Sequence, residues 1–270
     1  MSNQALSSYF ELHHRYYRSV NLERDLDKPD AVQGYVPTER SAEALRRILS
    51  AIGDPNAHRA WTLTGVYGTG KSAFARYLAA LCAAAGSRVA EAARAIAESA
   101  FPADSPEMEA IRNVPQSGLL RAVATAQREP LSWTIVRALS RGFELFWKKK
   151  RKPDFWMDLN EWCFQAEEGN CQVTDQQVLK LLREIVQTVE TDVLLIIDEL
   201  GKNLEYAAHH QGIQDLYLLQ QIAELELEGD HQVHLLGILH QSFTGYSDRL
   251  STIEQSEWTK IHGRFTDIVL

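Results

Sequence analysis

Residues 65–72 read Gly-Val-Tyr-Gly-Thr-Gly-Lys-Ser and match G-x-x-x-x-G-K-[ST] in full. Glycines in such a loop let backbone N–H groups turn inward into a nest for anions. Lys71 would reach the outer phosphates of a nucleotide, the following helix would point its positive end at them, and Ser72 would ligate Mg²⁺. Gly65, Val66, Tyr67, Gly68, Thr69, Gly70, Lys71, Ser72 and Ala73 are therefore the candidate phosphate-binding segment, with ATP and Mg²⁺ as the expected cofactors. Chemistry at that loop needs an acid at the carboxyl end of a buried strand, where ligands of open α/β sheets gather. The run Val193-Leu194-Leu195-Ile196-Ile197-Asp198-Glu199 supplies it. Asp198 would hold Mg²⁺ through water, and Glu199 would polarise an attacking water. A kinase takes a substrate hydroxyl as nucleophile and has no use for that glutamate, so the doublet favours hydrolysis over transfer.

Positioning these groups takes strands that alternate with helices. Ala60–Thr64 is a short β-prone run, followed by the glycine loop and a helix over Ser72–Ala85 that Gly86 stops. The alanine-rich stretch Ala79–Ala97 has helical propensity throughout. Leu119–Thr125 reads as a second strand and residues 132–147 as a helix. Thr174 with Gln177 three residues later forms a capping-box signature that opens another helix. Val193–Ile197, apolar on both faces, fits a central parallel strand covered on both sides. Helix over 214–227, strand over 233–239, helix over 252–261 and strand over 265–270 complete the series. The expected fold is α/β, a three-layer sandwich around a mostly parallel five-stranded sheet. Residues 1–58 read as an arm and helix packed on a core of 59–270, or as an interface, and an aromatic and basic insertion is expected around 127–173.

Composition excludes several classes. With 28 Lys+Arg against 36 Asp+Glu the formal charge is −8, which argues against a surface that coats nucleic acid all over. The longest aliphatic run, Val193–Ile197, is far short of the ~20 residues that span a bilayer. The first residues lack the apolar stretch of a signal peptide, so a cytoplasmic location and no membrane partner are expected. Cys82, Cys163 and Cys171 form no C-x-x-C pair and read as reduced structural thiols.

With the loop and the Asp198-Glu199 doublet in place, the chain resembles the AAA+ branch of P-loop ATPases, including relatives in the origin-recognition and STAND groups. The resemblance covers most of 31–270. It implies a polar residue ending the strand beside the phosphate loop, the position called sensor 1; Gln241 is the first choice and His240 the second, against an ordinary polar strand end. It implies an arginine finger for a neighbouring subunit, and His262-Gly263-Arg264-Phe265 offers Arg264, whose alternative is a surface arginine at a strand start. It implies adenine contacts before the first strand, where Tyr35, Val36 and Pro37 stand ahead of Arg40. It implies a helical lid after the fifth strand; the sequence stops at Leu270, so the lid is expected to be absent from this chain or to lie further along a longer protein. Residues 16–25 and 198–206 also resemble the ATP-binding front end of large bacterial phage-defence proteins.

The implied function is Mg-ATP binding and hydrolysis by an ATPase module of a homo-oligomer or larger complex, driving conformational change in partner domains. The alternative is a nucleotide-gated oligomerisation switch with little turnover. A GTPase is disfavoured, since His240-Gln241-Ser242-Phe243 is unlike the Asn-Lys-x-Asp base signal. The basic cluster 148–152, interleaved with Trp147, Phe155 and Trp156, would hold single-stranded nucleic acid or else form a solvated helix end above core aromatics.

Overall fold

The computed structural model describes residues 21–270 except 53, 55, 150, 211, 212 and 249. The aromatic and basic residues 9–18 lie outside the described residues. Five strands, β1 (Ala60–Thr64), β2 (Leu120–Thr125), β3 (Val193–Asp198), β4 (Val233–Ile238) and β5 (Thr266–Val269), form one sheet in the order β2-β3-β4-β1-β5. Every neighbouring pair is parallel. The expected α/β class with its five-stranded parallel sheet is the observed one.

Side chains alternate across β3, so its all-apolar sequence feeds two cores. Leu194 and Ile196 join Trp61, Leu63 and Leu236 on one face, beneath α1 (Leu22–Asp25), α2 (Glu39–Ser50), α3 (Lys71–Leu81), α4 (Arg88–Ala100) and α5 (Pro106–Arg112). Val193, Leu195 and Ile197 join Leu120, Ala122 and Leu235 on the other. That face is covered by α6 (Leu131–Phe146), α7 (Phe155–Glu167), α8 (Asp175–Val189), α9 (Gly201–His209), α10 (Ile213–Ala223) and α11 (Thr252–His262). Three layers result. Among the described residues no helix is long and apolar enough to cross a membrane.

Several boundaries move. The alanine-rich stretch 79–97 is two helices, because α3 stops at Leu81 and Ser87 caps a new one, its hydroxyl accepting from the Ala90 N–H. Propensity favours helix there, but the cap residue offers its side chain as an alternative partner for the backbone. Helix α10 stops at Ala223, short of Leu227. The capping box at Thr174 forms as read, with reciprocal bonds of 2.9 and 3.3 Å to Gln177. The long stretch between β2 and β3 holds α6, α7 and α8. Most of its aromatics pack inward: Phe143 is fully buried, stacked on Trp147 at 5.3 Å and edge-on to Phe155 at 5.2 Å, while Phe164 is exposed.

At the amino ends of β3 and β4 a buried carboxylate meets a buried histidine. Asp192 accepts from His234 Nε2 at 2.8 Å and from the Gln232 N–H at 3.1 Å. Burial alone would raise the Asp192 pKa, but the His234 hydrogen bond and charge, the Gln232 amide and His231 together hold it below the ordinary range. A depressed folded pKa means stability that is present above the unfolded value and lost as pH falls through the folded one. Asp192→Asn is expected to cost about 3 kcal/mol in urea unfolding at neutral pH. A variant as stable as the parent would show the pair to be idle.

Candidate functional site

The sheet order places β4 between the glycine-loop strand and the Asp198 strand, with β1 flanked by β4 and β5. Crevices of this kind open outside the carboxyl ends of the strands, at the point where the order reverses. The loop 65–70 leaves β1 at that end. Gly68 (φ 88°) and Gly70 (φ 90°) adopt left-handed backbone that side-chain-bearing residues avoid, and Gly70 forms the N-cap of α3. Thr69 Oγ1 donates to the Val66 carbonyl at 3.1 Å and closes the loop. Val66 and Tyr67 are exposed on its rim.

Lys71, at the first position of α3, is only 5% exposed, and its ammonium donates to the Gly65 and Val66 carbonyls at 2.6 and 2.9 Å. Burial pushes its pKa down, opposed by the charge of Asp198. Ser72 donates its hydroxyl to Asp198 Oδ1 at 3.3 Å. Asp198, 6% exposed, also accepts the Glu199 N–H at 3.0 Å. Burial pushes its carboxyl pKa up, and the neighbouring Glu199 charge adds to that while Ser72 opposes it. The structure thus brings together three of the groups picked from sequence: an ammonium, a hydroxyl and a carboxylate. Hydroxyl and carboxylate oxygens side by side are the hard donors that suit Mg²⁺, so the residues present fit the expected ion.

Glu199 follows in left-handed backbone, φ 54°, the strained exit of β3 into α9. Its carboxylate pairs with Lys202 one turn on. Behind this turn Asn203 donates to the Glu129 carbonyl at 2.9 Å and to Thr134 at 3.0 Å, tying α9 to the connection that follows β2.

At the end of β4 the two sensor candidates separate. The His240 ring lies 6.0 Å from the Tyr67 ring of the phosphate loop and is the weakest of the influences that lower the Asp198 pKa. Gln241 turns its amide toward Gly245 instead. Of the two, His240 stands nearer the phosphate loop and the acid. Arg264 sits before β5, while the loop follows the opposite ends of these parallel strands; Thr64 pairs with Val269, so Arg264 is roughly 17 Å down the strand direction. It takes no part in its own chain's crevice and pairs with Glu224, about half exposed.

Beside the loop opens a cleft of about 1200 Å³. Thr69, Gly70 and Ala73 form one wall, and Tyr35, Val36 and Arg40 another. Tyr35 stacks on Tyr77 of α3 at 4.6 Å, which fixes the segment that was matched to adenine contacts. Pro37 is not among the residues that line this cleft, and Thr38 next to it caps α2.

Sequence reading passed over Tyr246. Its hydroxyl end abuts Gly201, where a Cβ would come within 2.5 Å of a ring carbon, and the backbone of His240 and Gln241 lies against its hydroxyl. Leu200 ties the same two segments together, its N–H donating to the Ile238 carbonyl at 3.0 Å. The glycine two residues after Glu199 was the available signal.

Two solved structures align with most of the chain. The Aeropyrum pernix ORC2 protein, in ADPNP–ADP complexes, matches 90% of this chain and 52% of its own at 18% identity, with a TM-score of 0.47. The Aeropyrum pernix ORC1 protein in complex with DNA matches 91% and 48% at 17% identity, with a TM-score of 0.44. The chain spans about half the length of these structures. No family model and no curated protein matches it.

Proposed function

We propose that the chain is an AAA+-like module that binds and hydrolyses Mg-ATP and passes the resulting change of shape to partner domains. One observation carries this reading: the glycine loop, Lys71, Ser72 and Asp198 meet at the carboxyl end of the sheet, and Thr69 and Gly70 of that loop line a cleft large enough for a nucleoside triphosphate. In this scheme the loop amides and Lys71 hold the phosphates, and Ser72 and Asp198 hold Mg²⁺. A Mg²⁺ ion held by these two residues would supply charge neutralisation to the phosphates. Glu199 takes the proton of the attacking water, and His240, with Gln241 behind it, reads the γ-phosphate. Tyr35 and Val36 border the base. Arg264, remote from its own site, is available to that of a second copy.

Asp198 must be ionised to hold the metal. Burial raises its pKa, so Mg²⁺ would compete with a proton there, and Mg²⁺ affinity is expected to weaken as pH falls. The ion pair of Glu199 with Lys202 favours a second reading, a nucleotide-gated assembly switch, because it occupies the water-activating carboxylate. Phosphate release from Mg-ATP, run beside sizing chromatography with and without nucleotide, separates the two. Sustained release supports the hydrolase; tight binding with growth in size and no release supports the switch; no nucleotide binding defeats both.

A further inference from the structure

We propose that a second cavity, on the far side of the 27–29 segment from the nucleotide cleft, holds single-stranded nucleic acid, gripping its phosphates with Arg88, Arg121 and Lys148 and a base against Phe146. The cavity encloses about 570 Å³, within the roughly 300 to 1,000 Å³ of sites that take a small organic group. Its cations come from three separate elements: Arg88 opens α4, Arg121 stands on the edge strand β2, and Lys148 follows α6. Asp27 is the single carboxylate among its lining residues. Three cations against one acid is a local excess in a chain whose formal charge is −8.

Only Arg121 is answered. Its guanidinium, 11% exposed, donates to Asp27 at 2.6 Å and reaches the Leu26 carbonyl at 3.5 Å, which fixes it in the cavity wall. Arg88 and Lys148 are exposed and make no ion pair with any described residue. Like charges gathered in a concavity raise the local concentration of anions. The lining also has an apolar part, with Leu145 and Phe146 half-buried. Phosphate-binding cations facing an aromatic surface are the pairing that single strands use, through charge along the backbone and stacking of unpaired bases. A duplex keeps its bases stacked inside and offers none to Phe146.

The positive surface continues past the cavity. Lys149 lies over the Trp147 ring at 4.7 Å and Lys152 over Trp156 at 4.3 Å, held in place by the aromatics beneath. The core aromatics of this stretch are thus scaffold for the cations above them, and Phe146, packed against the same core, keeps part of its ring in the cavity lining. Pro29 lines both this cavity and the nucleotide cleft, so one short segment separates the two sites. The inference does not depend on hydrolysis.

The test is fluorescence anisotropy of a labelled oligothymidylate titrated with the chain at about 50 and 200 mM salt. The double variant Arg88→Ala/Lys148→Ala is expected to weaken binding at least about tenfold at low salt and to lower the log–log salt slope by about 1.4, at about 0.7 per cation on a single strand. Phe146→Ala should cost about tenfold more with the slope unchanged. A control pair on α8, Lys180→Ala/Arg183→Ala, removes the same charge elsewhere and should leave affinity intact. Binding of a fluorescent ATP analogue and the thermal midpoint serve as checks on folding. No oligothymidylate binding at low salt would overturn the proposal. So would an equal loss in the α8 control, duplex bound as tightly as single strand, or inorganic polyphosphate competing fully while Phe146→Ala has no effect.

Discussion

Lys71→Ala is expected to lower ATP affinity by a hundredfold or more, read by titration of a fluorescent ATP analogue, with the thermal midpoint held or raised. The ammonium is nearly buried and already aimed at the loop, donating to the Gly65 and Val66 carbonyls. A phosphate oxygen arriving there gains a charge-assisted bond in a partly desolvated site, where one ion pair at 4 Å is worth about 4 kcal/mol at an effective dielectric near 20. Ordering and desolvation take part of that, which leaves about two decades of affinity. The stability side has the opposite sign. Burial depresses the Lys71 pKa, so the charged form is carried at a cost to folding that grows as pH falls. Removing the charge lifts that cost. A drop in the midpoint together with retained ATP binding would make Lys71 a structural residue and remove the phosphate-loop reading.

The parts of this site that were legible in the sequence are those where local backbone dictates residue type. Gly68 and Gly70 must be glycine because the chain is left-handed there. The strand ending in Asp198 is readable because burial on both faces forces an unbroken aliphatic run. What stayed hidden is non-local. Nothing in the spacing of β1, β3 and β4 says that β4 lies between the other two, yet that order is what brings His240 to Tyr67. The far wall of the cleft comes from residues 24–41, and its aromatic stack on Tyr77 joins segments about forty residues apart in sequence.

Helix type was hardest to see where the apolar pattern lacks a clean stripe. Helix α7 carries aromatic residues on several sides, with Met157 and Phe164 exposed while Phe155, Trp156 and Trp162 pack inward, so periodicity gives no face. Between α3 and α4 the alanines are uniform, and only the serine cap and the preceding glycine mark a break. Tyr246 and Lys202 escaped for a related reason. Each acts through a partner that comes from a turn, the ring on Gly201 and the ammonium on Glu199, and turn geometry is fixed by tertiary contacts.

Glu199→Gln separates binding from chemistry. Glutamine preserves the shape of the side chain but cannot take a proton from water, so a general base at this position contributes about 10²- to 10⁴-fold to turnover that its amide forfeits. ATP affinity should be unchanged, since Lys71, the loop and Asp198 are untouched, and ATP should remain intact on the variant over many wild-type turnovers. Folding should barely respond. The ion pair lost is with Lys202 at a partly exposed position, worth at most about 1 kcal/mol, and the left-handed backbone at residue 199 is as accessible to glutamine as to glutamate. The pair also predicts a reciprocal variant: Lys202→Ala frees the carboxylate and should raise basal turnover, whereas under the switch reading it alters nucleotide-dependent assembly alone. Equal phosphate release from wild type and Glu199→Gln would assign water activation to another group, with His240, just past the end of the neighbouring strand β4, the next to test.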